Sequence, residues 1–223
     1  MQGEPGVAYP PEPWLLQGDF AVGVFLVPLR VIPEDVLAKL PAGSHPLVLA
    51  GRAVVGVAAV RYKPGGVLAY DELLVALPVV HHARLAVTIP QIWVSSPASR
   101  AGGRALWGIT KELMTAHRHH TGRRLQALYR SESRAILAET SVLVRRSLPG
   151  RWRLLLPTVQ RAPEDLIRSS TFIRSSNSVR GSLHLAHTEW TFESALSWLQ
   201  GHRPVLGAAI TQASVVFGAR VQR

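Results

Sequence analysis

Long apolar runs separated by short turn signals dominate the chain, and most of them carry the composition and period of strands. Phe20–Val27 is rich in Val and Phe, Ala53–Tyr62 is largely Val and Ala, and Val67–Val80 (VLAYDELLVALPVV) is interrupted only by Asp71, Glu72 and Pro78. Leu85–Ser95, Arg134–Val144, Trp152–Val159, Gly181–Phe192 and Ala208–Phe217 complete the set of expected strands. Helical pieces are short: Glu34–Leu40 behind Pro33, a segment between Ser99 and His117, and Phe192–Leu199. Turn signals such as Pro64-Gly65-Gly66, Pro149-Gly150 and Gly201-His202-Arg203-Pro204 recur between the strands. They favour antiparallel pairing in a mainly β (α+β) sandwich or barrel over βαβ units. Residues 1–19 hold Pro5, Pro10, Pro11 and Pro13 before Trp14, so this proline-rich arm is expected to lie extended over the body. At 223 residues, one domain spanning 1–223 is the expectation.

Charge changes this picture less than its size suggests. The net charge of +11 would point to nucleic acid if the arginines were clustered among stacking aromatics. Instead they are dispersed; the densest groups are His117–Arg124 and Arg145-Arg146, without interleaved aromatics. No nucleic-acid partner is expected, and the charge reads as a solvated surface or as attraction of an anionic substrate. With no apolar run of roughly 18 residues and no basic, apolar leader, no membrane association is expected and the protein reads as soluble and cytoplasmic. The absence of cysteine excludes disulfides, thiolate metal sites and a cysteine nucleophile. His117, His119 and His120 could gather at a metal, but no acidic or sulfur ligand stands at a recognisable spacing, so neither a metal nor a cofactor is expected.

Lys111 is the candidate nucleophile. Positive charge is carried almost entirely by arginine, the only lysines being Lys39, Lys63 and Lys111. A lysine retained in Gly102-Gly103-Arg104-Ala105-Leu106-Trp107-Gly108-Ile109-Thr110-Lys111 suggests amine chemistry, because a primary amine attacks a carbonyl and a guanidinium does not. The alternative is a surface lysine whose stem covers apolar neighbours. In Val67–Val80, alternation puts Tyr70, Glu72, Leu74 and Ala76 on one face and Asp71, Leu73, Val75 and Leu77 on the other, so one carboxylate faces inward. An inward Glu72 is either a structural ion pair or a general acid–base. Arg104 follows a glycine pair that lets backbone approach closely, leaving its guanidinium to clamp an anion or to pair at the surface with Glu112.

These residues carry a resemblance. Tyr70-Asp71-Glu72-Leu73 on a strand, followed by Ser99–Leu113 with its Trp107-Gly108-Ile109-Thr110-Lys111-Glu112-Leu113, resembles the acetoacetate decarboxylase-like superfamily, in particular divergent actinobacterial-type members with a W-G-x-P-K-E-L-A signature. Tyr9-Pro10-Pro11-Glu12-Pro13-Trp14, Ile92-Trp93-Val94 and Val216-Phe217-Gly218-Ala219 extend the likeness over nearly the whole chain. The resemblance implies antiparallel strands closed into a cone-like barrel with a few peripheral helices and an internal active site. It also implies that Lys111 forms a Schiff base, that Glu72 is the carboxylate set against it, and that the protein is a homo-oligomer; Arg104 is expected to bind an anionic or carbonyl oxygen. Around these, Tyr70, Gln91, Trp93, Trp107 and Glu112 are the expected substrate-binding residues. Departures are equally clear. The second lysine of true decarboxylases is Glu112 here, the proline before the nucleophile is Thr110, and the alanine after the leucine is Met114. Leu15–Phe20 lacks the carboxylate-binding arginine, and Val54–Val60 holds no second acid. Acetoacetate is therefore not the expected substrate. The expected activity is that of a lyase on a keto acid or polyketide-like intermediate of specialised metabolism, of aldolase or dehydratase type ahead of decarboxylation, which stays open. A non-covalent cyclase, hydratase or isomerase, or a ligand-binding protein without catalysis, is the alternative.

Overall fold

Strands that are apolar on both faces organise the chain, and this requires buried space on each side of the sheet. The structure, a computed structural model, describes residues 6–164 and 171–222. Met1–Pro5, the start of the expected arm, lie outside the described residues. In chain order the strands are β1 (Trp14–Pro28), β2 (Ser44–Pro46), β3 (Val48–Leu49), β4 (Arg52–Lys63), β5 (Tyr70–His81), β6 (Arg84–Val94), β7 (Glu112–Thr121), β8 (Arg124–Ser131), β9 (Ile136–Ser147), β10 (Trp152–Leu155), β11 (Thr158–Arg161), β12 (Phe172–Phe192) and β13 (Leu206–Gln222). Helices are peripheral: α1 (Glu34–Leu37), α2 (Pro97–Trp107) and 3-10 turns at Leu29–Val31 and Ser194–Leu199.

The strands form one sheet that closes on itself, running β5-β6-β7-β8-β9-β12-β13-β1-β4 and back to β5. The pattern anticipates its mainly β character, and the closure is what the resemblance implies. Pairing is not uniformly antiparallel, however. β6 meets β7 in parallel through Trp93↔Glu112 and Val94↔Leu113, and β11 meets β6 in parallel through Thr158↔Val87. Because β11 also pairs with β12, it straps across the ring and separates two apolar compartments. Val159 belongs to the compartment built around Phe25, Leu73, Tyr129 and Phe192, while Thr158 faces a cavity on the other side. β5 divides in the same way: Leu73, Val75 and Leu77 enter the packed compartment, and Tyr70, Glu72, Leu74 and Ala76 face the cavity.

Three expectations need correction. The arm is shorter than 1–19, because Trp14–Gln17 already pair with Ser214–Phe217 and form the start of β1. Among the described residues of the arm, 6–13 lack ladder partners, and the prolines there obscure that boundary. The expected strand Trp152–Val159 is two strands, since Pro157 has no N–H to continue the ladder. The segment from Ser99 to His117 is helical only as far as Trp107, where Gly108, in the left-handed region (φ 68°), caps α2 and turns the chain into β7. The His117–Arg124 cluster is the β7–β8 hairpin. Arg118 reaches back from it to pair with Asp71 at 2.7 Å and to donate to the Val60 carbonyl at 2.8 Å. Among the described residues no group of His, Asp and Glu is arranged to hold a metal, and no helix is long and apolar enough to cross a membrane.

Candidate active site

Lys111 is inserted into the cavity by the way α2 ends. Ser96 caps the N-terminus by accepting from the Ser99 N–H (3.2 Å), Pro97 occupies the first turn, and at the other end Gly108 N–H donates to Arg104 O and Ile109 N–H to Gly103 O. This tight exit folds residues 109–111 back under the helix. The lysine stem then crosses the helix face at Gly103, where an added Cβ would stand 2.5 Å from Lys111 Cε. Beside it, a Cβ on Gly102 would stand 2.5 Å from the Trp14 ring. The glycine pair thus seats Lys111 and Trp14 against α2; it does not serve to free Arg104. Gly103→Ala is expected to displace the amine and cut activity by about tenfold or more, since misplacement of a reacting group by a fraction of an ångström to an ångström has effects of this order or larger. The helix itself should persist, because alanine is the better helix former. Far-ultraviolet circular dichroism alongside a rate assay checks both parts.

The Lys111 amine is 3.1 Å from Glu72 Oε2 and 3.0 Å from Ser99 Oγ, and both lysine and glutamate side chains are almost fully buried. Glu72 is reached from two further sides: Tyr70 donates to Oε2 (3.2 Å) and Tyr62 to Oε1 (3.5 Å). Burial, reinforced by the Glu72 carboxylate, pushes both phenols well above their ordinary range, so they stay protonated as donors. The amine sits 5.9 Å from the centre of the Trp14 ring and 5.7 Å from that of Tyr70. The cavity measures about 310 Å3 and is walled by apolar side chains such as Phe20, Ile89, Ile92, Val179, Ile210 and Phe217.

Of the residues singled out in the sequence, the cavity brings together Lys111, Glu72, Tyr70 and Trp107. Trp107 packs edge-on against Trp14 and Phe217 as part of the wall. The other four line none of it. Arg104 lies partly buried on α2 away from the cavity. Gln91 donates to the Ala195 carbonyl and accepts from Trp198, fixing the 3-10 turn rather than a substrate. Trp93 donates to Glu112 at 3.0 Å across the β6–β7 pairing, on the packed-compartment side of β6. Glu112, adjacent to Lys111 but exposed, is therefore turned away from the amine. Asp71 likewise points away from the cavity, to Arg118, which leaves Glu72 as the inward carboxylate.

Four polar residues escaped the sequence reading as site residues: Tyr62, Thr158 and Asn177, which line the cavity, and Ser99, which accepts from the Lys111 amine. Ser99 had a signal, since it lies four residues before Gly103 and thus on the same helical face that the lysine crosses. Tyr62 had one as well, because its register partner is Tyr70, two residues from Glu72 and on the same face. Thr158 and Asn177 had none, as their meeting depends on β11 crossing the ring.

The sequence matches the profile of the acetoacetate decarboxylase (ADC) family over residues 6–156. A comparison with curated protein sequences returns no match. Among solved structures, the fold is similar to acetoacetate decarboxylase from Legionella pneumophila (TM-score 0.70, 16% identity, covering 96% of this chain and 88% of that one). It is also similar to the enduracididine biosynthesis enzyme MppR complexed with the condensation product of pyruvate and imidazole 4-carboxaldehyde (TM-score 0.63, 18% identity, 99% and 92%). A third is an acetoacetate decarboxylase-like enzyme from Sphingomonas wittichii (TM-score 0.62, 18% identity, 92% and 89%). At these identities the structures speak to the fold, while the profile match over most of the sequence establishes that this chain belongs to the acetoacetate decarboxylase family.

Proposed function

We propose that this protein is an enzyme that activates a carbonyl substrate as an iminium on Lys111 and uses the derived enamine to make or break a carbon–carbon or carbon–oxygen bond. The observation that carries the reading is the buried amine of Lys111, 3.1 Å from Glu72 inside an apolar cavity. Transfer of one proton along that contact yields a neutral amine and a carboxylic acid, the two forms that imine formation consumes. The amine adds to the carbonyl carbon, a proton moves from nitrogen to oxygen, and Glu72 protonates the departing hydroxyl. Iminium, carboxylate and one water result. Glu72, now anionic beside the iminium, can remove an α-proton and leave an enamine, with its own oxygens oriented by Tyr62 and Tyr70. An enamine carbon adds to an aldehyde or expels a β-hydroxyl, which are aldol and dehydration steps; the reverse direction cleaves.

The test is reductive trapping. Borohydride added with a carbonyl compound is expected to increase the mass of the peptide that contains Lys111 by that of the reduced adduct and to leave Lys39 and Lys63 unlabelled. No adduct on Lys111 would sink the covalent mechanism. A second reading, proton transfer by Glu72 and its phenols without a covalent step, is favoured by the completeness of the Lys111–Glu72–Ser99 network, which holds the lysine as a partner as well as a nucleophile would be held.

A further inference from the structure

The charges inside the cavity restrict what can bind there. Among the described residues, Lys111 and Glu72 are the only lining side chains that carry a full charge, and they lie against one another. The rest of the lining is apolar except for two phenols, Thr158 and Asn177. At the Thr158–Asn177 end the polar atoms are already paired and all are neutral. Asn177 Nδ2 donates to the Leu156 carbonyl and to Thr158 Oγ1, both at 3.0 Å, and its Oδ1 accepts from the Gly218 N–H at 2.8 Å. Thr158 Oγ1 also shares a hydrogen bond of 2.7 Å with Ser175. Such an end holds no cation for a carboxylate.

We infer that the substrate is a neutral, largely apolar carbonyl compound, of the polyketide-like rather than the keto acid type. This inference rests on the Schiff-base reading above and narrows it. With a neutral ketone or aldehyde bound, the iminium on Lys111 and the carboxylate of Glu72 balance, and the enclosure carries no net charge. With a keto acid, the same intermediate holds a second carboxylate and a net negative charge among apolar walls. An unpaired charge in such a setting is strongly disfavoured, because the apolar lining supplies no counter-ion. The volume of about 310 Å3 stands at the lower end of small-molecule cavities, generally about 300–1,000 Å3, so the compound is compact. The same absence of a cation argues against decarboxylation, whose substrate must enter as a carboxylate.

Methyl levulinate and levulinate test this directly, as they share the same keto-acyl chain and differ by a single charge and the ester methyl. Each is incubated with the wild-type protein and cyanoborohydride, and the rate of adduct formation at Lys111 is divided by its rate with free N-acetyl-lysine methylamide. The ester is expected to label Lys111 at least about tenfold faster than the acid, the minimum set by one unpaired buried charge. Equal or faster labelling by levulinate overturns the inference and leaves the Schiff-base reading intact. Failure of both compounds to label Lys111 removes the Schiff-base reading and this inference with it.

Discussion

Lys111→Arg is expected to abolish α-deuterium exchange of a simple ketone such as butanone, while the parent protein washes solvent deuterium into both positions beside the carbonyl. The exchange needs no knowledge of the natural reaction. It requires an iminium to acidify the α-hydrogen, a base to remove it, and the enamine to take back a deuteron, and those are the steps assigned to Lys111 and Glu72. Arginine keeps a positive charge that can pair with Glu72 at the position where lysine stands 3.1 Å away, but it forms no iminium with a ketone. Removing the covalent catalyst from a site of this kind costs on the order of 10^4-fold or more. A purely electrostatic role for Lys111 predicts a far smaller effect, so exchange by the arginine variant within about tenfold of the parent would favour non-covalent proton transfer by Glu72. Circular dichroism and a thermal melt separate a chemical loss from a folding defect.

Much of this arrangement is legible in the sequence, and the reason is local. Alternation along β5 is a property of any strand, so it named Tyr70 and Glu72 as sharing a face. The retention of a lysine among arginines drew attention to Lys111 for a chemical reason. What alternation could not decide was which of Asp71 and Glu72 would be inward, because that depends on the Arg118 guanidinium arriving from β7. Arg104 and Glu112 fall outside the cavity for a related cause. Each is close in sequence to Lys111, but the left-handed cap at Gly108 reverses the chain between Arg104 and the lysine, and strand alternation turns Glu112 outward to Trp93. Proximity along the chain was a poor guide wherever a turn intervened. The second polar end of the cavity was beyond sequence reading altogether, because Thr158 and Asn177 meet only when β11 ties β6 to β12.

Glu72→Gln is expected to produce the largest loss of stability of any single conservative change in the site. Glutamine is close to isosteric and can still accept a hydrogen bond from Tyr62 or Tyr70, so packing is nearly unchanged; what disappears is the counter-charge of an ammonium that is almost fully buried. Removing one partner of a buried ion pair costs about 3–5 kcal/mol, much of it the penalty on the charge left behind. For a chain of this size that corresponds to a fall in melting temperature on the order of 10 °C. The double variant Glu72→Gln/Lys111→Met removes both charges and should recover most of the loss, because a thioether side chain is at home among Trp14, Tyr70 and Ile109 and an uncharged pair requires no desolvation of ions. A double-mutant cycle by thermal or urea denaturation measures the coupling. If the single variant melts with the parent, the resting site already contains neutral amine facing neutral acid. The proton transfer that imine formation requires would then have taken place before substrate arrives, and the exchange rate of the parent should show no lag that depends on deprotonating Lys111.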